Sequence, residues 1–304
     1  MTQVTLDKES RAPETEDHGP AHEIRIDLAY QRLAIVNVVY FGIANVPDGE
    51  WVLIDAGLPG TAGAIERAAR ERFGEDSPPA AIIMTHAHAD HAGALEKLAE
   101  EWDVPIYAHP LELPYLNGSA AYPPPDPSVG GGLMPAMSVL FPRGPFNVSC
   151  WLQALPQDGT VPHMPGWRWI HTPGHTPGHI SLYRPSDATL IAGDAFITTG
   201  QESVYKVMTQ RAEMHGPPMY YTQNWDDSEN SVQKLAELDP ELVITGHGRP
   251  MQGEEMRTAL HTLARDFKKV AVPEDGKYVK APTTAANGSA YKEPKQKRAT
   301  KAKT

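Results

Sequence analysis

The chain has 304 residues, 40% of them hydrophobic, and a formal net charge of −11. That length buries a substantial core in one large domain or two small ones, and a single cysteine, Cys150, excludes an intrachain disulfide. The last fourteen residues, Tyr291 to Thr304, hold six Lys or Arg and one Glu, a net +5 that leaves −16 on the rest, and a body so acidic repels phosphate and argues against a nucleic-acid substrate.

In chain order, residues 1–22 are polar and without periodicity, and read as a loose leading segment. Met1 to Lys8 lacks the basic start and apolar stretch of a secretory signal. No apolar run reaches the roughly 18 residues of a transmembrane helix, so a cytoplasmic protein with no membrane partner is expected. From Glu23-Ile24-Arg25-Ile26 to Asn37-Val38-Val39-Tyr40 the β-branched content predicts strands. Ala62, Ile65, Ala69 and Phe73 stand at helical spacing between Gly60 and Gly74. Ala81-Ile82-Ile83-Met84 reads as a buried strand, and Ala92 to Ala99 as a helix. Residues 110–165 are broken by Tyr122-Pro123-Pro124-Pro125-Asp126-Pro127 and Gly130-Gly131-Gly132, which forbid a long regular element. Trp167-Arg168-Trp169-Ile170, Ile191-Ala192-Gly193 and Val243-Ile244-Thr245 read as strands. Ser228 is the expected cap of a helix reaching Leu238, and Met256, Leu260, Leu263 and Phe267 form the core stripe of another. From residue 273 to 304 the chain is Pro-, Lys- and Thr-rich and reads as an extended or disordered basic tail, solubilising rather than nucleic-acid binding.

Between the strand at 81–84 and the following helix lies Thr85-His86-Ala87-His88-Ala89-Asp90-His91. Three imidazoles and a carboxylate in six residues are what a zinc-like ion binds. On an extended loop His86 and His88 point the same way and can grip one ion, while Asp90 and His91 can turn toward a second. His171-Thr172-Pro173-Gly174-His175-Thr176-Pro177-Gly178-His179, Gly193-Asp194 and Gly246-His247 each place further ligand types at the end of an apolar run. Strand ends converging from distant parts of the sequence are how an α/β sheet builds a site. His109 is read as ending a strand and packing there, and His18, His22, His163, His215 and His261 as surface or satisfied imidazoles.

The set His86-x-His88-x-Asp90-His91, then His175, Asp194 and His247, with Leu53-Ile54-Asp55-Ala56-Gly57 upstream, resembles the metallo-β-lactamase-fold hydrolases over about residues 30 to 250. The resemblance implies an α/β fold, an αββα sandwich of two mixed β-sheets flanked by helices, with the catalytic domain at 23–272. It implies that His86, His88 and His175 hold a first divalent ion, that Asp90, His91 and His247 hold a second, and that Asp194 bridges them. Zinc is the foremost candidate for both ions. Asp55 would orient ligands by hydrogen bonds, and His179, with His171, is read as supporting rather than ligating. Segments 110–165 and 198–225 would flank the metals as pocket loops, through Met137, Leu140 and Phe141 in the first and Tyr205, Met208, Met214, Met219, Tyr220, Tyr221 and Trp225 in the second.

A hydroxide held between two such ions would attack a substrate carbonyl, with Asp90 or Asp194 passing a proton to the leaving group. No Gly-x-Ser-x-Gly elbow offers a protein nucleophile. The motif is glyoxalase-II-like and lactonase-like. The segment after Asp194, Ala195 to Gly200, lacks the basic residues of glutathione thioesterases, and only Lys206 and Arg211 follow. Ile197 stands where lactonases of this family place a Tyr, with Tyr205, Tyr220 or Tyr221 as substitutes. The expected substrate is therefore a small neutral or lipophilic ester or lactone. A thioester or a β-lactam is the alternative within the class, and an iron-dependent persulfide dioxygenase the alternative outside it. A homodimer is expected by analogy alone.

Overall fold

Short strands with alternating apolar faces set the layers of the computed structural model, which describes residues 4–7, 10–13, 20–46, 50–131, 133–200 and 211–294. The first half contains β1 (Val4–Thr5), β2 (His22–Arg25), β3 (Leu28–Leu33), β4 (Val36–Phe41), β5 (Val52–Ile54), α1 (Ala62–Phe73), β6 (Ala81–Ile83), α2 (Leu95–Trp102), β7 (Ile106–Ala108), α3 (Leu113–Leu116), α4 (Leu133–Met137) and β8 (Leu152–Ala154). The second contains β9 (Arg168–His171), β10 (Ile180–Arg184), β11 (Thr189–Gly193), β12 (Glu213–Met214), α5 (Trp225–Ala236), β13 (Leu242–Thr245), β14 (Met251–Gln252), α6 (Gly253–Arg265), α7 (Phe267–Val270) and α8 (Lys277–Lys280).

Strands β2 to β8 form one sheet in sequence order, antiparallel up to β5 and parallel from β5 to β8. The other large sheet runs β14-β13-β11-β10-β9, with β11 and β13 parallel. Because side chains alternate across a strand, each strand serves two layers. Val52, Ile54 and Ile83 face the inter-sheet core with Ile180, Leu182, Ile191 and Ile244. Leu53, Ile82 and Ile106 face outward onto Ile65 and Ala69 of α1 and Leu95 and Leu98 of α2. Leu190, Ala192 and Val243 face the other way, onto Val232 and Leu235 of α5 and Met256, Leu260 and Leu263 of α6. The result is the four-layer αββα arrangement of mixed sheets flanked by helices. Among the described residues no helix is long and apolar enough to cross a membrane.

Several segments depart from their sequence reading. The described part of residues 1–22 is docked: β1 pairs with β12, Ala12 N–H donates to Pro250 O at 3.0 Å, and His22 begins a strand. α5 starts before Ser228, because Asn224 is extended and its side chain accepts from Asp227 N–H at 3.2 Å; Ser228 is buried inside the helix. α2 begins at Leu95 rather than Ala92, because residues 90–93 turn to present Asp90 and His91.

The described stretch 273–294 is a strap rather than a tail; residues 295–304 lie outside the described residues. Tyr278 and Ala290 are buried. Lys277 N–H donates to Asp126 Oδ2 at 2.5 Å, Tyr291 Oη to Leu111 O at 3.1 Å, and Tyr115 Oη to Ala290 O at 2.9 Å. Lys292 and Ala121 form a bridge. Buried Tyr278 and half-buried Tyr291 contribute apolar area that the composition of this stretch conceals. Ending the chain after residue 272 is expected to lower the unfolding free energy by ~2 kcal/mol or more, the scale of one large buried side chain, against a chain ending after residue 294. Urea midpoints that coincide for the two would show that the strap contributes nothing.

Candidate metal centre

The carboxyl ends of the parallel strands β5 and β6 lie side by side, so the residues that follow them meet. Asp55 takes a left-handed backbone (φ 61°), which Asp tolerates better than most residues, and its carboxylate receives Thr85 N–H at 2.8 Å and Thr85 Oγ1 at 2.7 Å. His91 Nδ1 donates to the same carboxylate at 2.8 Å, so its Nε2 points into the site. His247, past the end of β13, is fixed likewise, with Nδ1 donating to Ile35 O at 2.6 Å. His175 Nδ1 meets Thr222 Oγ1 at 3.2 Å, and that hydroxyl donates onward to Pro218 O at 2.8 Å, so the imidazole is the donor and its Nε2 keeps a lone pair.

Those nitrogens converge. His88 Nδ1 and His175 Nε2 are 3.0 Å apart. Asp194 Oδ2 lies 3.5 Å from His91 Nε2, 3.5 Å from His175 Nε2 and 3.2 Å from His247 Nε2, and Asp90 Oδ2 lies 3.4 Å from His247 Nε2. Three groups have ligand atoms within 4.8 Å of one another and could hold an ion: His86, His88 and His175; His86, His91 and Asp194; and Asp90, His91 and His247. All seven residues singled out as ligands in the sequence thus come together, and Asp55 stands behind them. The donor set fits divalent cations. His86 Nε2, His91 Nε2, His247 Nε2 and Asp194 Oδ1 are buried without a hydrogen-bond partner, a costly arrangement unless a cation satisfies them. Gly246 leaves the necessary room, since a Cβ there would stand 2.1 Å from Asp194 Oδ1 and 2.7 Å from His91 Cε1.

Burial and neighbouring charge sort the imidazoles. Burial, reinforced by adjacent imidazoles, holds His86 and His175 well below the ordinary value, and burial brings His88 down to about 4. Burial would also lower His91 and His247, but Asp194 overcomes it and raises both, His247 to about 9. Burial would raise Asp90, yet the His247 imidazole beside it, with His91, holds it below the usual carboxylate range.

His179 belongs to none of the three groups. It accepts Asp194 N–H at Nε2 (2.9 Å), bonds Thr172 Oγ1 at 2.9 Å, and burial lowers it to about 3. It positions the Asp194 backbone. His171 donates to Pro177 O at 2.9 Å and stacks on His109, ring centroids 4.2 Å apart. His163 and His261 pair with Glu50 and Asp239, His215 is buried with Nδ1 2.9 Å from Gly216 O, and His22 packs on Tyr30; His18 lies outside the described residues.

The sequence reading missed Glu112. Its fully buried carboxylate accepts Ala87 N–H at 3.1 Å and the Tyr122 hydroxyl on Oε2, and Thr176 Oγ1 and Gly178 N–H, both at 2.9 Å, on Oε1. Its only trace in the sequence is an acid between Leu111 and Leu113. Thr85 and Thr222 escaped for the same reason, being ordinary polar residues with distant partners.

A narrow cleft opens over Asp90, lined also by Ile35, Leu58, Ala89, Phe141, Tyr220 and Tyr221. The two loop segments therefore divide. Phe141, Tyr220 and Tyr221 are wall residues, whereas Met214, Met219 and Trp225 pack in the core beneath α6 and α7, because β12 and the turn after it dock there. Met137 and Leu140 are exposed, and Tyr205, Lys206 and Met208 lie outside the described residues.

A family model described as "Metallo-beta-lactamase superfamily" matches residues 33–247. Probable metallo-hydrolase YflN of Bacillus subtilis (strain 168) is 48% identical over 236 residues, 78% of this chain and 89% of that protein. Probable metallo-hydrolase YybB of the same organism is 31% identical over 67% of this chain and 78% of its own. A B3 metallo-beta-lactamase with an active-site glutamic acid superposes with a TM-score of 0.56 at 17% identity, covering 86% of this chain and 92% of that one. A beta-lactamase domain protein from Burkholderia ambifaria gives 0.56 at 18% identity, covering 86% and 81%.

With His247 at about 9 and His91 raised, the metal-free site holds protons at pH 7.5 that a cation must displace. Zinc binding is expected to release at least about one proton per chain, read as calorimetric heats that change with buffer ionisation enthalpy. Affinity should fall as pH drops, and the release should fade above pH 9. Buffer-independent heats at pH 7.5 would contradict this.

Proposed function

The chain belongs to the metallo-beta-lactamase superfamily, and on that premise we propose that it is a hydrolase that works with two divalent ions, zinc foremost, on a neutral or lipophilic ester or lactone. In this reading His86, His88 and His175 hold one ion, Asp90, His91 and His247 the other, and Asp194 serves both. The triangle of imidazole nitrogens around Asp194 Oδ2 supports that last role. Ions bound there would supply Lewis acidity to a carbonyl oxygen and make a water acidic near neutral pH.

The chain's own groups do the rest. Asp90 is the one proposed ligand that also lines the pocket, so it is placed to take a proton and hand it to the departing group. Asp194 is the other candidate for that transfer. Tyr221 stands over His88, ring centroids 4.8 Å apart, and burial keeps its phenolic proton in place. Ile35, Leu58, Ala89, Phe141 and Tyr220 would take the apolar part of the substrate and exclude water.

The observation that carries the substrate class is this wall: its side chains are aliphatic or aromatic, and its charged member is the acid Asp90. A polyanion would meet repulsion there. Turnover of an aliphatic lactone and a p-nitrophenyl ester by zinc-loaded protein tests the reading, beside a thioester, a β-lactam and bis-p-nitrophenyl phosphate. The ester or lactone is expected to show the highest kcat/KM, and a phosphodiester exceeding every ester would sink the assignment. Metal counts by mass spectrometry test the ligands. His88→Ala and His175→Ala should each lose one ion and Asp194→Ala should impair both, while Asp55→Ala and His179→Ala should keep two at about 10–100-fold lower affinity. Equal metal loss in His179→Ala and His175→Ala would overturn the assignment within that loop.

A further inference from the structure

Two carboxylates stand behind the proposed ligands, and they hold different segments of the site. Asp55 binds Thr85 and His91 directly. Glu112 touches no proposed ligand. It instead joins the two loops that carry the first group: Ala87 lies between His86 and His88, and Thr176 and Gly178 follow His175. His91, His247 and Asp194 rest on Asp55, Ile35 O and His179.

We propose that Glu112 is a positioning residue for the first ion alone, drawing the 86–88 and 175–178 loops onto one carboxylate so that His88 Nδ1 and His175 Nε2 meet. This rests on the ligand assignment proposed above. The geometry gives the carboxylate a task that no neutral side chain performs. It accepts four hydrogen bonds, two on each oxygen, and the two backbone N–H groups among its donors cannot reverse. Glutamine has the same shape but offers one oxygen, so its amide N–H would face the N–H of Ala87 or of Gly178. One loop would then lose its bond to this side chain, Gly178 outright and Ala87 down to the Tyr122 hydroxyl 3.0 Å away. The room for adjustment is small, because a Cβ at Gly178 would already stand 2.8 Å from Glu112 Cγ. Tyr122 completes the clamp from the side. Its ring packs on His88 at 4.4 Å and stacks on Tyr115 at 3.7 Å, and Tyr115 is tied to the strap at Ala290.

The test is a stepwise cobalt(II) titration of full-length Glu112→Gln and wild type, followed by the visible d–d bands and by competition with a chelator. Thermal unfolding of the metal-free proteins runs beside it. Wild type should take two ions. Glu112→Gln should bind one ion with wild-type affinity and the other about 10–100-fold more weakly, the usual cost of losing a residue that orients ligands. A merely structural role would lower the melting temperature and weaken both ions together. That outcome, or two ions bound as tightly as in wild type, would overturn the proposal. A wild-type chain that takes no cobalt would overturn the ligand assignment itself. Should Glu112→Gln fail to fold, Tyr122→Phe removes one donor and keeps the carboxylate, and a smaller loss confined to one ion is expected; equal weakening of both would again count against the proposal.

Discussion

The structure is organised around a cluster of imidazoles and one carboxylate packed together out of reach of water. His86, His91, His175 and His247 are almost completely buried, and Asp194 lies among them with one oxygen unpartnered. Burial strips these groups of water, and the attraction of Asp194 for His91 and His247 leaves His86 and His175 without such a partner unless a cation joins them. The protein must therefore hold them in place by more than their mutual attraction. It does so with the rigidity of two packed sheets, whose parallel strand ends deliver Asp55, Thr85, Asp194 and His247 to one edge.

Around the cluster, hydrogen bonds fix the far side of three imidazoles and turn the near side into the site. Ile35 O, Thr222 and Asp55 accept from His247, His175 and His91. The tautomers follow from these partners, because a nitrogen that donates to a fixed acceptor leaves the other with a lone pair. Glycine at 246 leaves the close approach of Asp194 and His91 open. The pocket then reaches the cluster through Asp90, beside the wall of Phe141, Tyr220 and Tyr221.

What the sequence made legible was local. The spacing of His86, His88, Asp90 and His91 is carried by one loop, and His175, Asp194 and His247 each sit beside a glycine at the end of an apolar run. Strand alternation in Leu53, Ile82 and Val243 likewise survived folding, because each face had a layer to meet. Composition misled where a few residues outweigh the average. The stretch after Val272 is polar on the whole, yet Tyr278 and Ala290 anchor it, and the segment before His22 is pinned by Val4 and Ala12. The start of α5 was misplaced because Asn224 and Ser228 are equally plausible caps until the chain reversal at Gly174, whose carbonyl accepts from Gln223 and Asn224, selects one.

By itself the sequence determined which His and Asp residues could gather at one site, since their identity and spacing are properties of short segments, and the layered fold, since periodicity is too. The tertiary structure decided which acceptors stand behind the ligands. Glu112 lies 25 residues from Ala87 and 66 from Gly178, and Thr222 lies 47 from His175. Tertiary packing also sorted Met219 into the core and Tyr221 into the wall, although they stand two residues apart in one aromatic, Met-rich segment. The physical reason is the same in each case. A hydrogen bond or a buried face is chosen by what lies opposite it, and for these residues the opposite partner comes from a distant part of the chain.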